Sequence, residues 1–244
     1  MFGHRGRLGL IVPSSNTTNE SEFWQRRPDG VSIHTARMRL EDVNEDDLID
    51  MAADVEAAAA DLSTADVDAI AFGCTTGSLV KGAGYDEEIR ETIEDVAGVP
   101  AVATSTAIMH AFDALDARSL AIATPYTDAM NDREVEFLEG NGYEVTAITG
   151  LGIEPNVGIG RQSPETAYRL GRQVDGADTD AVFLSCTNFR TFEVIEQLER
   201  DLGKPVVSSN SATLWAALDL LGVATEEVAL GRLFDTAPRT GTAP

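Results

Sequence analysis

The sequence predicts an α/β protein made of two similar lobes, each a parallel sheet of about four strands flanked by helices. Short runs rich in β-branched residues, bounded by Gly, Pro or Ser, alternate along the chain with segments of helical periodicity. Blocks from the first half then recur in the same order in the second half. Because such alternation forms parallel sheets with crossover helices, the recurrence predicts two equivalent sheets related by a pseudo-twofold axis, with the functional site between them.

The strand pattern occurs in eight runs. The first run, LGLIV, ends in a turn at Pro13 without a small-residue cleavage site, which indicates a strand and not a signal peptide, so we expect a cytoplasmic protein. The predicted strands span residues 7–12, 31–37, 68–72, 101–103, 119–123, 144–149, 181–184 and 205–207. The predicted helices between them span residues 46–63, 86–96, 106–115, 128–141, 164–174, 192–201 and 212–221.

Three pairs of blocks define the internal repeat. LGLIVPSSNT matches SLAIATPYTD with Pro13 aligned to Pro125, and DAIAFGCTTG matches DAVFLSCTNF with Cys74 aligned to Cys186, both at an offset of 112. GVPAVATSTAIMHAFDAL matches GKPVVSSNSATLWAALDL at a slightly smaller offset. The repeat predicts an N-terminal lobe over residues 1–115, a C-terminal lobe over residues 116–221, and a tail over residues 222–244 that packs on the N-terminal lobe.

The charge is strongly acidic, with 41 Asp and Glu against 18 Lys and Arg and a formal net charge of −23. Nucleic acids and anionic membranes both require a positive protein surface, so the composition excludes them as partners. No run of about 18 apolar residues is present, which excludes a transmembrane helix. Salt screens the self-repulsion of such a surface, so the composition indicates adaptation to a salt-rich cytoplasm.

The two cysteines, Cys74 and Cys186, occupy equivalent positions in the repeat, each after an apolar run and before a threonine. Ligands of open α/β folds bind at the carboxyl ends of strands, so facing lobes would direct both thiols into one cleft. The alternative is two small residues buried in separate cores. A structural disulfide is disfavoured in a reducing compartment. A zinc site would need more ligands than these cysteines and three scattered histidines supply.

Six motifs in order carry a resemblance to a known family. VPSSNTTNE, FGCTTGS, ATPYTD, EPNVGIGR, SCTNFRT and SSNSATLW together resemble the maleate cis–trans isomerases of the aspartate/glutamate racemase superfamily, to which the arylmalonate decarboxylases are related. The resemblance extends from about residue 8 to residue 221. It implies a reaction that uses no cofactor, in which Cys74 attacks an alkene carbon of maleate as a thiolate and Cys186 handles the proton. A position between a strand end and a helix N-terminus is expected to lower the pKa of a thiol.

A small dicarboxylate substrate needs hydrogen-bond donors, and the motifs contain few cations. Hydroxyl and amide side chains on loops at strand ends are the candidates, together with backbone N–H groups after each cysteine. The resemblance assigns Asn16, Tyr126 and Asn156 to the substrate, although helix capping or a turn also explains each. The candidate substrate-binding residues are Asn16, Thr75, Thr76, Tyr126, Asn156, Thr187 and Asn188.

Other residues of the motifs have simpler explanations. The nearest cations to the cysteines, Lys81 and Arg190, are expected to pair with surrounding acids, and Ser209 and Asn210 are expected to cap a helix that starts near residue 212. The glycines around Lys81 are equally consistent with a mobile lid that closes over the substrate and with a simple connecting loop.

Two thiols also suit a racemase that uses one as a base and the other as an acid. An arylmalonate-type decarboxylase resembles a one-cysteine design with glycine at the position of Cys74, so the presence of Cys74 disfavours it. A two-lobed solute-binding protein would need a secretion signal and no paired thiols. Two-lobed enzymes of this type are often dimers or larger, so we expect a homo-oligomer.

Overall fold

Two four-stranded parallel sheets form the centre of the molecule in the computed structural model, which describes residues 2–237. The first sheet has the strand order β2-β1-β3-β4 and the second has the equivalent order β6-β5-β7-β8. The strands are β1 (Gly6–Pro13), β2 (Val31–Met38), β3 (Ala69–Phe72), β4 (Ala101–Ala103), β5 (Ser119–Ala123), β6 (Glu144–Thr149), β7 (Ala181–Leu184) and β8 (Val206–Ser208). The predicted strands and the internal repeat are therefore confirmed.

The central strands are apolar because helices cover both faces of each sheet. Every residue of β3 and of β7 is buried. In the first sheet Leu10 pairs with Ala71. In the second sheet Ile122 pairs with Phe183, and this pair is equivalent in the repeat to the first. The two cysteines therefore follow the central strands of their sheets.

Eleven α-helices connect the strands within the described residues. They are α1 (Asn19–Arg26), α2 (Glu45–Ala52), α3 (Val55–Ser63), α4 (Thr75–Leu79), α5 (Tyr85–Ala97), α6 (Thr104–Ala114), α7 (Asp128–Gly140), α8 (Asn156–Gly160), α9 (Pro164–Val174), α10 (Ile195–Leu202) and α11 (Ser209–Leu220). None of the helices within residues 2–237 has the length and hydropathy needed to cross a membrane.

The helix predictions need two corrections. The single helix predicted over residues 46–63 is two helices, because Ala53 and Asp54 donate to the carbonyls three residues back and end α2. The short helices α1, α4 and α8 were not predicted. Two of them have only five residues, too few for an apolar period to be recognised.

Helices α6 and α11, which begin where β4 and β8 end, pack against each other between the two sheets. The hydroxyl of Thr213 on α11 donates to that of Thr104 on α6 at 3.0 Å. Trp215 is fully buried on α11, and its indole donates to the carbonyl of Thr236. This pairing holds the carboxyl ends of the two sheets towards each other.

The segment after α11 contains two short 3-10 helices, Thr225–Glu227 and Arg232–Asp235, and contacts both halves of the chain. Arg5 pairs with Glu227 at 2.6 Å, next to β1. The backbone N–H of Arg232 donates to Glu199 on α10. Residues 238–244 of the predicted tail, and residue 1 of the predicted N-terminal lobe, lie outside the described residues. The division into lobes at residues 115 and 221 stays a prediction.

Candidate active site

Cys74 caps the short helix α4 directly after β3. Its backbone is extended, and its Sγ accepts a hydrogen bond from the backbone N–H of Gly77 at 3.3 Å. The hydroxyl of Thr76 also bonds to this sulfur. A Cβ at position 77 would lie 2.8 Å from Sγ, so only glycine lets the backbone approach the thiol this closely. Two donors therefore converge on the sulfur.

Cys186 follows β7 in a strained backbone conformation, with a φ of 101° that L residues rarely adopt. Its Sγ accepts from the backbone N–H of Asn188 at 3.3 Å and from the hydroxyl of Tyr126. Its own N–H donates to Oγ of Ser209 at 3.0 Å. The strain is maintained because neighbours on three segments hold the thiol and the backbone of Cys186.

Direct hydrogen bonds join the two cysteine loops. The hydroxyl of Thr187 donates to the carbonyl of Gly73 at 3.1 Å, which links the residues that flank the two thiols. The hydroxyl of Thr75 donates at 2.8 Å to Oγ of Ser209, the same atom that accepts from Cys186. The structure therefore brings the two thiols together across the interface between the sheets.

Burial governs the ionisation of both thiols, which are 4% and 5% exposed at Cys74 and Cys186. Burial raises the pKa of Cys74 to about 11, although the bonds from Gly77 and Thr76 lower it. Burial likewise raises the pKa of Cys186 to about 12, with a further increase from the neighbouring thiol of Cys74. The expectation of a lowered thiol pKa is therefore wrong, because desolvation outweighs the strand-end donors.

The predicted amides form a buried network behind the cysteine loops. Oδ1 of Asn16 accepts from the N–H groups of Thr18 and Asn19 and so begins α1, while its Nδ2 donates to the hydroxyl of Thr187 at 3.1 Å. Thr18 is the N-cap of α1, so Asn16 lies two residues before the cap, and the same side chain also contacts the second cysteine loop. Asn16 therefore joins α1 to the segment that follows Cys186.

Asn156 is the first residue of α8 and not a turn residue, and it is buried. Its Nδ2 donates to the hydroxyl of Ser15 at 2.8 Å, and its Oδ1 accepts from Nδ2 of Asn188 at 3.0 Å. Oδ1 of Asn188 accepts from the N–H of Thr17 at 2.9 Å. The side chain of Asn188 thus ties the loop after β1 to α8.

Tyr126 is buried where the loop after β5 reaches Cys186. Burial raises its pKa well above the ordinary value, and the neighbouring Cys186 and Glu134 raise it further. The phenol therefore stays neutral and donates its proton towards the sulfur. All seven predicted side chains and both thiols are buried in the structure.

Of the two nearby cations, Arg190 pairs with an acid as expected, whereas the contact described for Lys81 is with an aromatic ring. Arg190 is exposed and pairs with Glu193 at 2.6 Å. Lys81 is exposed, and its Nζ lies 4.5 Å from the ring centroid of Tyr85. The donors that surround the thiols are hydroxyls, a phenol and backbone N–H groups.

Sequence reasoning missed the role of Ser209 at this site. The helix α11 begins at Ser209 and is capped by Ser208, which exchanges hydrogen bonds with Ser211. The prediction that Ser209 and Asn210 cap this helix is therefore wrong. Asn210 instead donates to Oε2 of Glu22 at 2.6 Å and to the carbonyl of Thr187 at 3.0 Å. Ser209 and Asn210 both lie in the motif SSNSATLW, and this position in a motif of the resemblance could have indicated that they belong to the site.

Two buried glutamates also went unnoticed, at positions 112 apart. Glu22 on α1 accepts from the N–H groups of Thr191 and Phe192 and thereby anchors the loop after Cys186. Glu134 on α7 accepts from the hydroxyl of Ser185 at 2.5 Å. Burial raises the pKa of each carboxyl to about 7. The internal repeat could have identified this pair.

Within the described residues, no three His, Cys, Asp or Glu side chains cluster in a way that could hold a metal ion.

Comparison with known proteins gives consistent matches over most of the chain. A family model described as arylmalonate decarboxylase matches residues 8–234. The maleate isomerase of Geobacillus stearothermophilus is 30% identical over 233 residues, which cover 90% of this chain and 93% of that protein.

Solved structures match equally well. A cysteine-to-alanine variant of the maleate isomerase Iso from Pseudomonas putida S16, solved with maleate, has a TM-score of 0.89 at 29% identity and covers 96% of this chain and 98% of its own. A cysteine-to-serine variant of the Nocardia farcinica maleate cis-trans isomerase, with a covalently bound succinylcysteine intermediate, has a TM-score of 0.89 at 27% identity and covers 94% and 98%.

Proposed function

The chain belongs to the arylmalonate decarboxylase family, which includes maleate isomerases, and we propose that it isomerises maleate to fumarate without a cofactor. The observation that carries this proposal is the pair of buried thiols at equivalent strand ends, joined by hydrogen bonds between their loops. The relative with a succinylcysteine intermediate supports a covalent adduct in this family.

In the proposed reaction Cys74 is the nucleophile. Its thiolate attacks one alkene carbon of maleate, and the π electrons move to the other alkene carbon, where the adjacent carboxylate delocalises them. The thiol of Cys186 donates its proton to that carbon. The resulting succinyl thioether has a single bond in place of the double bond, and rotation about this bond brings the carboxylates to opposite sides.

The reverse proton transfer completes the cycle. The thiolate of Cys186 removes the proton from the carbon next to the thioether, the double bond forms again, and the Cys74–carbon bond breaks. Fumarate leaves, Cys186 is again a thiol, and Cys74 is again a thiolate, which recovers from water the proton that it gave to water on ionisation. The pKa of about 11 makes ionisation of Cys74 the costly step, and the bonds from Gly77 and Thr76 stabilise the thiolate.

Neutral donors hold the substrate in this proposal. Asn16, Tyr126 and Asn156 contact the carboxylates, and the backbone N–H groups after each cysteine contribute further donors. Thr75, Thr76, Thr187 and Asn188 complete the proposed binding set. Their hydrogen bonds to each other and to the loops support a fixed site, which lowers the cost of reorganisation during the reaction.

NMR of the protein with maleate in deuterium oxide tests the activity directly. We expect fumarate from the wild type, none from Cys74→Ala, and wild-type rates from the exposed control Ser21→Ala. Deuterium exchange at the α-carbon of an amino acid, without action on maleate, would replace the proposal with a racemase. Carbon dioxide release from an arylmalonate by wild type and Cys74→Ala alike would replace it with a decarboxylase.

Two properties of the whole molecule complete the proposal. The protein acts as a homo-oligomer, a dimer or larger, which sedimentation equilibrium tests. The acidic composition supports work in the cytoplasm of a salt-rich cell. Neither property affects the chemistry of the thiols.

A further inference from the structure

Glu134 is a buried carboxyl group that the proposed reaction does not use. It lies on α7 and is 1% exposed. Its Oε1 accepts a single hydrogen bond, from the hydroxyl of Ser185, and its Oε2 has no hydrogen-bond partner. Ser185 directly precedes Cys186, so this carboxyl group contacts the backbone segment that carries the second thiol.

The equivalent residue of the repeat is equally buried but differently paired. Glu22 accepts three hydrogen bonds, from the backbone N–H groups of Thr191 and Phe192 and from Nδ2 of Asn210, so both of its oxygens are satisfied. These donors lower the pKa of Glu22, although burial still raises it to about 7. The single donor at Glu134 leaves an ionised carboxylate nearly uncompensated, and a buried charge in that state is costly.

The groups that face Glu134 would all be disturbed by a negative charge. The charge of Glu134 acts on the phenol of Tyr126 and on the thiol of Cys186. The neighbouring β6 carries only Glu144, which is exposed, and α4 carries no titratable side chain. The other charged residues of α7 lie on its outer side, where Arg133 pairs with Glu45 at 2.7 Å.

We propose that Glu134 is a titratable positioning residue that controls how well the site holds an anion near Cys186. While the carboxyl group of Glu134 is neutral, an anion can be held there. When the carboxyl group ionises, anion binding near Cys186 becomes weaker. The inference rests on the proposed function for its kinetic test. As a neutral acid, Glu134 accepts from Ser185 and adds no charge. As a carboxylate, it repels both a thiolate at Cys186 and a substrate carboxylate bound near Tyr126.

The pH dependence has a defined sign. Burial raises the pKa of Glu134 to about 7, so the competent neutral form predominates below pH 7 and is lost above it. Glutamine at this position keeps the size and the neutrality of the acid. The hydrogen bond from Ser185 lowers the pKa of Glu134, so Ser185→Ala is expected to move the loss of activity to higher pH.

The test is the ratio of kcat/KM for Glu134→Gln to that of the wild type, measured on maleate across the pH range. The ratio cancels ionisations that both proteins share. We expect a ratio near one at pH 6 and about tenfold at pH 8. The exposed residue Glu136 on the same helix gives the control Glu136→Gln, whose ratio should be constant. A constant ratio for Glu134→Gln, or a variant that folds but is inactive at every pH, would overturn the inference.

A second readout needs no substrate. Infrared titration of the wild type minus Glu134→Gln isolates the carboxyl band of Glu134, which should change from protonated to ionised with a midpoint near pH 7. Ser185→Ala should raise that midpoint, and an unchanged midpoint would contradict the contact. If this band titrates but maleate is not converted, the proposed function alone fails. If maleate is converted with a constant ratio, this inference alone fails.

Discussion

Ser209→Ala is the substitution that most directly separates positioning of the thiols from stability of the fold. Oγ of Ser209 accepts from the hydroxyl of Thr75 at 2.8 Å and from the N–H of Cys186 at 3.0 Å. Removal of this oxygen leaves both donors buried without acceptors. Each such loss costs about 1–3 kcal/mol, so we expect unfolding to become easier by about 3 kcal/mol in total.

The effect on activity follows from the backbone of Cys186. A φ of 101° stores about 1–3 kcal/mol of strain, which persists only while neighbours hold the residue. Without the acceptor on Ser209 the loop can relax and displace the thiol. A displacement of about 1 Å costs about 100-fold in rate, so we expect kcat/KM for maleate to fall about 100-fold.

Ser208→Ala is the matched control, since Ser208 is the neighbouring serine and caps the same helix. Loss of this cap costs about 1 kcal/mol of stability. Within residues 2–237 the side chain of Ser208 accepts its hydrogen bond from the N–H of Ser211 and not from a cysteine loop, so kcat/KM should stay within about threefold of the wild type. Calorimetry and steady-state conversion of maleate measure the two effects. Equal kcat/KM for the two variants would refute the positioning role of Ser209.

Three further predictions concern hydrogen bonding and charge. Tyr126→Phe removes the hydrogen-bond donor to Cys186, and we expect kcat to fall about 30-fold, equivalent to about 2 kcal/mol. The surface control Tyr168→Phe should retain activity, and equal kcat values for the two variants would contradict the hydrogen bond between Tyr126 and Cys186. Because burial raises the pKa of Glu134, its contribution to the free energy of unfolding is fully present below about pH 4.5 and is lost as the pH rises through about 7. Relative to Glu134→Gln, the free energy of unfolding of the wild type should therefore fall by about 2 kcal/mol between pH 5 and pH 8, and a constant difference would contradict the burial. The formal charge of −23 predicts that Tm rises when potassium chloride is raised from 0.1 M to 1 M, since screening shortens from about 10 Å to about 3 Å; a lower Tm would contradict this account of the composition.

The sequence is sufficient to predict two equivalent sheets, because their strands are apolar runs and the blocks that contain them recur in the same order. The pairing of Cys74 with Cys186 follows from the same repeat, since equivalent strands end at equivalent edges. The structure places these two residues on loops joined through Thr187 and Ser209. The repeat could therefore predict that the two cysteine loops meet.

The remaining features depend on burial and on contacts between the halves. The direction of the pKa shift of Cys74 could not be predicted, because hydrogen-bond donors at the strand end lower the pKa of the thiol and burial raises it. Ser209 resembled an ordinary helix cap, and its hydrogen bonds with Thr75 and Cys186 distinguish it from Ser208, which is the cap. Glu134 lies on a helix with exposed acids, and its burial and its equivalence to Glu22 in the repeat separate it from them.

The proposed reaction requires that Cys74 forms a covalent bond with the substrate while Cys186 handles the proton. The most direct test is mass spectrometry of Cys186→Ser after incubation with maleate, with peptide mapping of the product. We predict an added mass of one maleic acid on the peptide that contains Cys74, and none in the double variant that also carries Cys74→Ala. Conversion of maleate by the wild type with no adduct in Cys186→Ser, or with an adduct on a peptide without Cys74, would contradict the account.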